Sequence, residues 1–456
     1  MSEFTPLREA VDTLASRTPP PDFGELKRRA TRRGRRRVVT VAVATAAVIA
    51  GSALAVSGLD DNRRTAPAEQ PKIRPAPNGW VAVDAYQGGG DIYLVRPGED
   101  ARRLEVAGSD AANEACPAWS PDGRRLLFGR VSGSPDTPAG DPELVIVTVG
   151  QNGAAGTPHA ISLEGFDGFG AGERFDPHPC AIWAPDGRWV AFVGTGEVWV
   201  VDTESGAIRH LPDFRPSDLE WRPGSDELAI AGDTGTTQDA FPTSAPVSVY
   251  SVSTGELRQL GSIEAAHITW SPDGTTLAYS GPRARVTESG HFTVQDVQDG
   301  LWLVDADGAN ERLLIEDSGV AIHGIGPVWS PTGDRIAYQR CQAKEPEPCT
   351  GERHEVVLAS VANGSETVLE PPKARGHEWY PFTVSWSTDG TTLLYAGWTF
   401  DGQPLPRGGE TMPGGVIAVP VDMPRDATVL IDAIDPVPNY FSHRWAPTQM
   451  WGRQPR

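Results

Sequence analysis

Titratable side chains collect just ahead of a recurring tryptophan in this chain. Histidines precede that tryptophan by two to nine residues at five places, namely His178, His267, His323, His377 and His443. Carboxylates share the same zone: Asp176, Asp218, Glu220, Glu264 and Glu378. Imidazoles and carboxylates are ordinary metal ligands, but here their offsets from the tryptophan differ and no compact ligand spacing occurs. We predict no metal and assign these residues to a surface that binds a ligand or partner; a metal or anion site and plain solvated loop residues are the alternatives.

The four cysteines form two candidate disulfide pairs. Cys341 and Cys349 bracket a loop rich in proline and glutamate, and their separation of eight residues is easily closed in an oxidising compartment. Cys116 and Cys180 each lie three residues before the recurring tryptophan, at equivalent points of neighbouring repeats. A bridge between them requires Cα atoms within about 7 Å, which the sequence leaves open.

The elements that position these residues are set by a motif of the type Trp-Ser-Pro-Asp-Gly. Copies begin at Trp119, Trp183, Trp221, Trp270, Trp329 and Trp386, with a truncated seventh, Trp-Ala-Pro, at Trp445. Proline and glycine make a tight reversal in each copy. Three apolar stretches follow the reversal; examples are 190–192 and 198–202 after Trp183, and 312–314 after Trp270. Four strands per repeat of 38 to 64 residues predict an all-β propeller with the tryptophans packed between blades.

These motifs resemble the TolB-type propeller repeat, a relative of the tryptophan–aspartate (WD40-like) repeats, over residues 80–448. The resemblance implies a domain that recruits partners without catalysing a reaction. The copy at Trp221 departs from the pattern because Pro-Gly-Ser-Asp replaces its Asp-Gly turn, so the first turn of that blade is left open.

The two ends of the repeat region predict how the ring closes. Residues 80–106 contain three apolar stretches that lack an opening strand, and residues 441–447 supply such a strand. Together they complete one blade and remove the exposed edges of an open array. Six whole blades and one split blade make seven; six blades, as in TolB itself, are the alternative if the Trp221 unit is irregular.

The connections differ between the two faces of this propeller. We name the strands of a blade A to D from the channel outward, the face with the A–B and C–D connections the turn face, and the face with the B–C and D–A connections the loop face. The long connections all belong to the loop face: 131–142, 164–179, 232–246, 281–299, 340–354, 370–382 and 397–414. Because loops on a rigid scaffold carry most binding sites, we assign the ligand or partner site to the loop face.

The N-terminal segment predicts one membrane span. Residues 38–59 form an uncharged run of 22 residues, long enough to cross a bilayer. Eight basic residues lie within 27–37, so the positive-inside rule predicts a cytosolic tail over 1–37 and an extracytoplasmic C-terminal part. A cleaved signal peptide and a buried helix are the alternatives. Residues 60–79, with four prolines, read as a semi-extended linker.

The cytosolic tail has apolar residues at helical spacing: Leu7, Ala10, Val11 and Leu14. A small helix followed by an arginine-rich run is similar to the tails of many actinobacterial membrane proteins, some of which act with sigma factors. The tail is therefore either a topology signal that touches anionic lipid or a contact for a cytosolic transcription partner.

Charge and motifs narrow the function. The net charge is −20 although the tail is basic, which argues against nucleic acid as a partner. The chain has no Gly-x-Ser-x-Gly elbow, no His-Glu-x-x-His pair and no phosphate-binding glycine loop. We predict a membrane-tethered binding propeller without cofactor or catalytic residues, which recruits a protein, peptide or cell-envelope ligand. A single-pass sensor is the alternative, and a hydrolase or lyase at the propeller pore is a minor one.

Overall fold

The fold consists of short strands joined by turns. The computed structural model describes residues 78–85, 90–109, 112–134, 137–138, 141–166, 178–194, 197–212, 214–233, 245–280, 300–316, 326–341, 354–370, 373–374, 377–400, 414–431 and 451–453. The chain divides into two compact units, Met1–Pro71 and Lys72–Arg456, and the described residues all belong to the second. No helix within them is long and apolar enough to span a bilayer. The helix predicted over 38–59 lies outside the described residues.

Seven antiparallel sheets follow one another along the chain, each a blade. Blade 1 comprises β1 Asn78–Ala85, β2 Asp91–Val95, β3 Arg102–Arg103 and, from the other end of the chain, β30 Trp451–Arg453; blade 2 comprises β4 Ala112–Trp119, β5 Arg125–Ser134, β6 Thr137–Pro138, β7 Glu143–Thr148 and β8 His159–Ser162; blade 3 comprises β9 Ile182–Trp183, β10 Trp189–Gly194, β11 Glu197–Asp202 and β12 Ile208–Pro212.

The remaining four blades repeat this order. Blade 4 comprises β13 Arg215–Trp221, β14 Glu227–Asp233, β15 Ala245–Ser251 and β16 Leu257–Ala265; blade 5 comprises β17 His267–Trp270, β18 Thr276–Ser280, β19 Gly300–Asp305 and β20 Arg312–Glu316; blade 6 comprises β21 Val328–Trp329, β22 Arg335–Cys341, β23 His354–Ser360 and β24 Glu366–Leu369; blade 7 comprises β25 Lys373–Ala374, β26 His377–Trp386, β27 Thr392–Phe400, β28 Gly414–Pro420 and β29 Thr428–Ile431. The chain is a seven-bladed all-β propeller.

The apolar core consists of seven clusters, one at each seam between neighbouring blades. At the seam of blades 1 and 2, for example, Ile92 and Leu94 pack with Trp119 and Phe128. The cluster that joins the last blade to the first contains Val83 and Leu394. Because this cluster links blade 7 to blade 1, the array is a closed ring.

The split blade closes the ring, but through different residues from those that the sequence predicted. Strand β30 pairs with β1 in the register Val81↔Trp451. In the other blades the repeat tryptophan pairs with the first apolar residue of strand B, as in Trp119↔Leu126. Trp451 therefore takes the register position that we assigned to Trp445, and the predicted closing strand 441–447 lies outside the described residues. The strands accordingly extend to Arg453, beyond the predicted limit at 448.

The repeated turn owes its shape to a serine and an aspartate. In blade 2, Ser120 Oγ donates to Asp122 Oδ1 at 2.6 Å and accepts from the Arg125 amide at 3.0 Å. The amide of Gly123, at φ +68°, donates to the Ser120 carbonyl at 2.8 Å, a conformation that glycine adopts without strain. The same serine and aspartate contacts recur in blades 5 and 7.

The unit at Trp221 forms a regular blade despite its changed turn. Ser225 donates its amide to the Arg222 carbonyl at 3.2 Å, and Gly224 takes the positive φ. Trp221 pairs with Leu228 as in the other blades. Pro-Gly thus performs the reversal that Asp-Gly performs elsewhere, and the six-bladed alternative is wrong.

Candidate functional site

The two faces of the ring carry connections of different length. The A–B connections of blades 2 to 7 each hold five residues, as in 120–124 and 271–275. On the loop face the spacing between strands ranges from a single residue, Ala266, to 19 residues, 281–299. Most of the long connections lie outside the described residues, although strands extend into five of the ranges predicted as loops, for example β5 into 131–142, β26 into 370–382 and β27 into 397–414.

Arginines tie neighbouring blades together on the turn face. Among the described residues, guanidinium groups donate to backbone carbonyls of the next blade in six pairs: Arg96 to Gln151 at 3.2 Å, Arg102 to Asn152 at 2.9 Å, Arg125 to Gly187 at 2.5 Å, Arg209 to Val252, Arg222 to Gly274 at 2.7 Å and Arg258 to Ala306 at 3.3 Å. Several of these arginines also stack on tryptophan rings, such as Arg125 on Trp183. These arginines are therefore engaged within the ring.

The inner strands carry a set of equivalent positions, three residues before each repeat tryptophan. We name them the inner ring: Cys116, Cys180, Asp218, His267, Gly326 and Thr383. Register shifts in β4, β13 and β26 fall at or next to three of these positions. Bulges of this kind bend a strand and redirect its side chains, and they often occur beside functional sites.

Cys116 and Cys180 of the inner ring form a disulfide with their Cα atoms 4.9 Å apart. The amide of Cys116 also donates to Asp84 Oδ2 at 2.8 Å, which joins β4 to the split blade. Two adjacent inner strands are thus linked covalently near the loop face. The pair Cys341 and Cys349 stays a prediction, because Cys349 lies outside the described residues.

Asp218 and His267 face each other across the seam between blades 4 and 5. His267 Nδ1 lies 3.7 Å from Asp218 Oδ2, and both side chains are only about one-eighth exposed (13% and 14%). The backbone amides of Leu219 and Ile268 donate to the Asp218 carboxylate, each at 2.9 Å. Asp218 is therefore held in place by backbone donors on both sides of the seam.

Glu220 lies two residues along β13, on the same side of the strand as Asp218. Its side chain is partly exposed, and its carboxyl has no hydrogen-bond partner among the described residues. Burial first, and then the neighbouring Asp218 carboxylate, raise the pKa of Glu220 well above its ordinary value. The seam thus holds two carboxyl groups and one imidazole, and no described cation lies opposite Glu220.

The imidazole of His267 fits because the next inner-ring position is a glycine. A Cβ atom on Gly326 would lie 2.6 Å from His267 Cβ and 2.7 Å from its Cγ. Sequence reasoning missed Gly326, although its offset from Trp329 equals that of His267 from Trp270. Aligning the repeats at every offset, and not only at the titratable residues, would have found it.

A second buried charge lies at the loop-face end of the seam between blades 1 and 2. Glu114 is 1% exposed, and its Oε1 accepts from Arg130 Nη2 at 2.7 Å and from Ser109 Oγ at 2.7 Å. Burial raises the pKa of Glu114, and the two hydrogen bonds oppose that rise. Because Ser109 belongs to the D–A connection of blade 1, this pair fastens that connection to blade 2.

The structure brings together Asp218, Glu220 and His267 from the set of predicted binding residues. Glu264 is exposed near the end of β16, and His178 is buried beside the disulfide segment, unlike a solvated loop residue. His377 and Glu378 begin β26. Outside the described residues lie Asp176, His323, His443 and Trp445. No group of three or more potential metal ligands lies close together within the described part of the chain.

Comparisons with known proteins give similarity of fold alone. No protein-family model and no curated protein matches the chain. Among solved structures, TolB from Acinetobacter baumannii is 17% identical over 63% of this chain, with a TM-score of 0.38, and the match spans 62% of that protein's length. An oligogalacturonate lyase from Vibrio parahaemolyticus is 14% identical over 78% of this chain and 85% of its own, with a TM-score of 0.44. A manganese complex of an oligogalacturonate lyase is 15% identical over 77% and 84%, with a TM-score of 0.43. Likeness this low carries no argument about function.

Proposed function

We propose that this protein is a non-catalytic binding propeller that recruits a protein, peptide or cell-envelope ligand on its loop face. The difference between the two faces supports this proposal. Every A–B connection of blades 2 to 7 is held at five residues, whereas the loop-face spacing varies from one to 19. Rigid scaffolds concentrate binding in the variable connections of one face.

The hydrogen bonds of the turn-face arginines also support this proposal. Arginines that would attract an acidic partner donate to neighbouring blades instead, as Arg125 does to Gly187 and Arg222 to Gly274. The five-residue A–B turns of this face leave little surface that can adapt to a ligand. A partner that docks on this face would meet main-chain reversals whose polar groups are largely satisfied, so the loop face is the better candidate.

The proposal includes attachment to the membrane. The uncharged run 38–59 would anchor the chain with the tail 1–37 in the cytosol and the propeller outside. Protease added to intact cells should then digest the propeller and spare an epitope placed at the N-terminus. Loss of the N-terminal epitope with a protected propeller would reverse the orientation.

Crosslinking in intact cells tests recruitment. Cells that express the full chain, or a version lacking residues 2–26, are crosslinked and the captured partners are identified by mass spectrometry. We expect both versions to capture the same envelope proteins or wall fragments. A cytosolic regulator that is captured only by the full chain would favour the single-pass sensor, in which the tail and not the propeller gives the output.

A further inference from the structure

One hydrogen bond repeats between the inner strands, and it is missing at the seam of blades 4 and 5. The indole N–H of a repeat tryptophan donates to the carbonyl of the residue before the tryptophan of the preceding blade. This occurs at four seams: Trp183 to Ala118 at 3.0 Å, Trp221 to Ile182 at 3.1 Å, Trp329 to Thr269 at 3.1 Å and Trp386 to Val328 at 3.0 Å. For Trp270 the equivalent acceptor is the Glu220 carbonyl. Trp270 is 2% exposed, yet its Nε1 has no partner among the described residues. The indole of Trp119 also lacks a described partner, but its equivalent acceptor lies outside the described residues.

The seam of blades 4 and 5 therefore combines a buried donor with one carboxyl group, that of Glu220, which has no described cation opposite it. A buried N–H without an acceptor costs about 1–3 kcal/mol of folding free energy. At four other seams the carbonyl of the preceding blade supplies the acceptor and avoids this cost. Glu220 likewise lacks a hydrogen-bond donor within the described residues. Arg222, which is two residues from Glu220 in sequence, is engaged on the turn face with Gly274 and with Glu227 at 2.5 Å.

The D–A connections that flank blade 4 are short. The D–A connection between blades 3 and 4 holds two residues, 213–214, and that between blades 4 and 5 holds only Ala266. By contrast, the B–C connections of the same two blades are long, 234–244 and 281–299. The side chains of Asp218 and His267 retain 14% and 13% exposure, so both are partly accessible within the described residues.

We propose that this seam binds the ammonium group of an amine or peptide, with an adjacent carbonyl of the ligand accepting the Trp270 N–H. Asp218 carries the complementary negative charge, and the backbone amides that bind Asp218 keep it oriented toward the seam. An ammonium group bound beside Glu220 would favour the ionised form of that carboxyl as well. Charge-assisted hydrogen bonds of this kind are about twice as strong as neutral ones. The inference rests on the proposed function, since it names the chemical group that the loop face would recognise.

Calorimetry on the full-length chain with small probes tests this site. Alaninamide carries an ammonium beside a carboxamide, whereas N-acetylalaninamide lacks the charge. We expect alaninamide to bind and N-acetylalaninamide not to bind. Glu220→Gln should weaken alaninamide binding about tenfold or more, whereas Glu256→Gln, on an exposed C–D turn of the same blade, should leave it unchanged.

A nuclear magnetic resonance measurement separates binding from a general structural effect. The indole N–H signal that disappears in Trp270→Phe should shift when alaninamide is added, and signals of other indoles should not. Equal binding by wild type and Glu220→Gln, or no binding of alaninamide, would overturn the site. If alaninamide does not bind but a partner still crosslinks to the loop face, the proposed function stands and this inference fails. If alaninamide binds but no partner is captured, this inference stands and the proposed function fails.

Discussion

Glu220 lies beside a second carboxylate and lacks a described hydrogen-bond donor, so its environment favours the neutral acid. Burial and Asp218 raise its folded-state pKa above the ordinary value of 4.5. The folded chain then binds the proton more tightly than the unfolded chain. This contribution to stability is complete below about pH 4.5 and is lost as the pH rises through the raised pKa.

Replacement of Glu220 by glutamine removes this titration. The Glu220→Gln variant should therefore melt at a higher temperature than wild type at pH 8, and the difference should vanish near pH 4.5. Thermal unfolding followed by circular dichroism across that pH range measures the effect, with Glu256→Gln as the control that shows no such convergence. A variant that is less stable than wild type at pH 8 would show that the Glu220 carboxylate stabilises the fold.

The close contact between Gly326 and His267 predicts that Gly326→Ala destabilises the fold. In Gly326→Ala the new Cβ would overlap His267 Cβ, which is 2.6 Å away, and overpacking of this kind costs about 1–3 kcal/mol. Denaturant unfolding should show that cost in wild type and a smaller cost in a His267→Ala background, because alanine keeps the Cβ but removes the Cγ that lies 2.7 Å from the new atom. A His267→Gly background should remove most of it. Equal costs in all three backgrounds would contradict the contact.

The contact between Asp218 and His267 could not be read from the sequence. Their shared offset from Trp221 and Trp270 was visible, but the five histidines have different offsets, which hid it. Whether two equivalent side chains touch depends on how closely neighbouring inner strands approach. That distance is set by bulges such as the one between Pro216 and Asp218, and no local pattern encodes it.

At the scale of elements, the second strands of blades 5, 6 and 7 share a buried tyrosine with different partners. The hydroxyls of Tyr279 and Tyr338 donate to Glu311 and Glu366, next to or within strand D of the same blade. Tyr395 occupies the same place in blade 7, but its hydroxyl has no described partner, and burial raises its pKa. Blade 7 has no acid at the equivalent place, because the residue directly before β29 is Ala427 and β29 itself begins at Thr428.

The two tyrosines make a matched pair for mutation. Tyr338→Phe should cost about 1.5 kcal/mol because it removes a hydrogen bond to a carboxylate. Tyr395→Phe should be neutral or stabilising, because it removes a buried hydroxyl without a partner. Guanidinium unfolding of both variants measures the difference, and a larger loss for Tyr395→Phe than for Tyr338→Phe would contradict this account of blade 7.

The turn motif was the part of each element that sequence could predict. Serine, proline, aspartate and glycine act within five residues, so their hydrogen bonds are local; the contacts of Ser120 with Asp122 and Arg125 are an example. The closing strand was not predictable in the same way. Trp445 copies the motif, but pairing with β1 selects Trp451, and pairing over such a sequence distance depends on the whole ring.

At the scale of the molecule, the disulfide joins two of the seven blades. It closes a loop of 64 residues between Cys116 and Cys180, and a crosslink of that span stabilises by about 4 kcal/mol. The double variant Cys116→Ser, Cys180→Ser should lose roughly that free energy of unfolding, and reduced wild type should match it. An unchanged midpoint in guanidinium for both would show that the cysteines are not bridged in solution.

The closed ring places every inner strand in one tertiary unit, and its two faces differ in their connections. Seam clusters join all seven blades, including the last to the first. The blade order was predictable because the motif recurs at a fixed place in each repeat. The partner was not, since the long connections vary without a shared motif.

Site-specific photo-crosslinking from both faces tests the central claim, that the loop face is the binding face. A photoreactive residue is placed singly in the loop-face connections 234–244 and 281–299, and for comparison at the exposed turn-face residues Glu204, Thr254, Asp307 and Asn363. In intact cells, the account predicts discrete adducts from the loop-face positions and none from the turn-face positions. Adducts of equal strength from the turn face, or from that face alone, would contradict it.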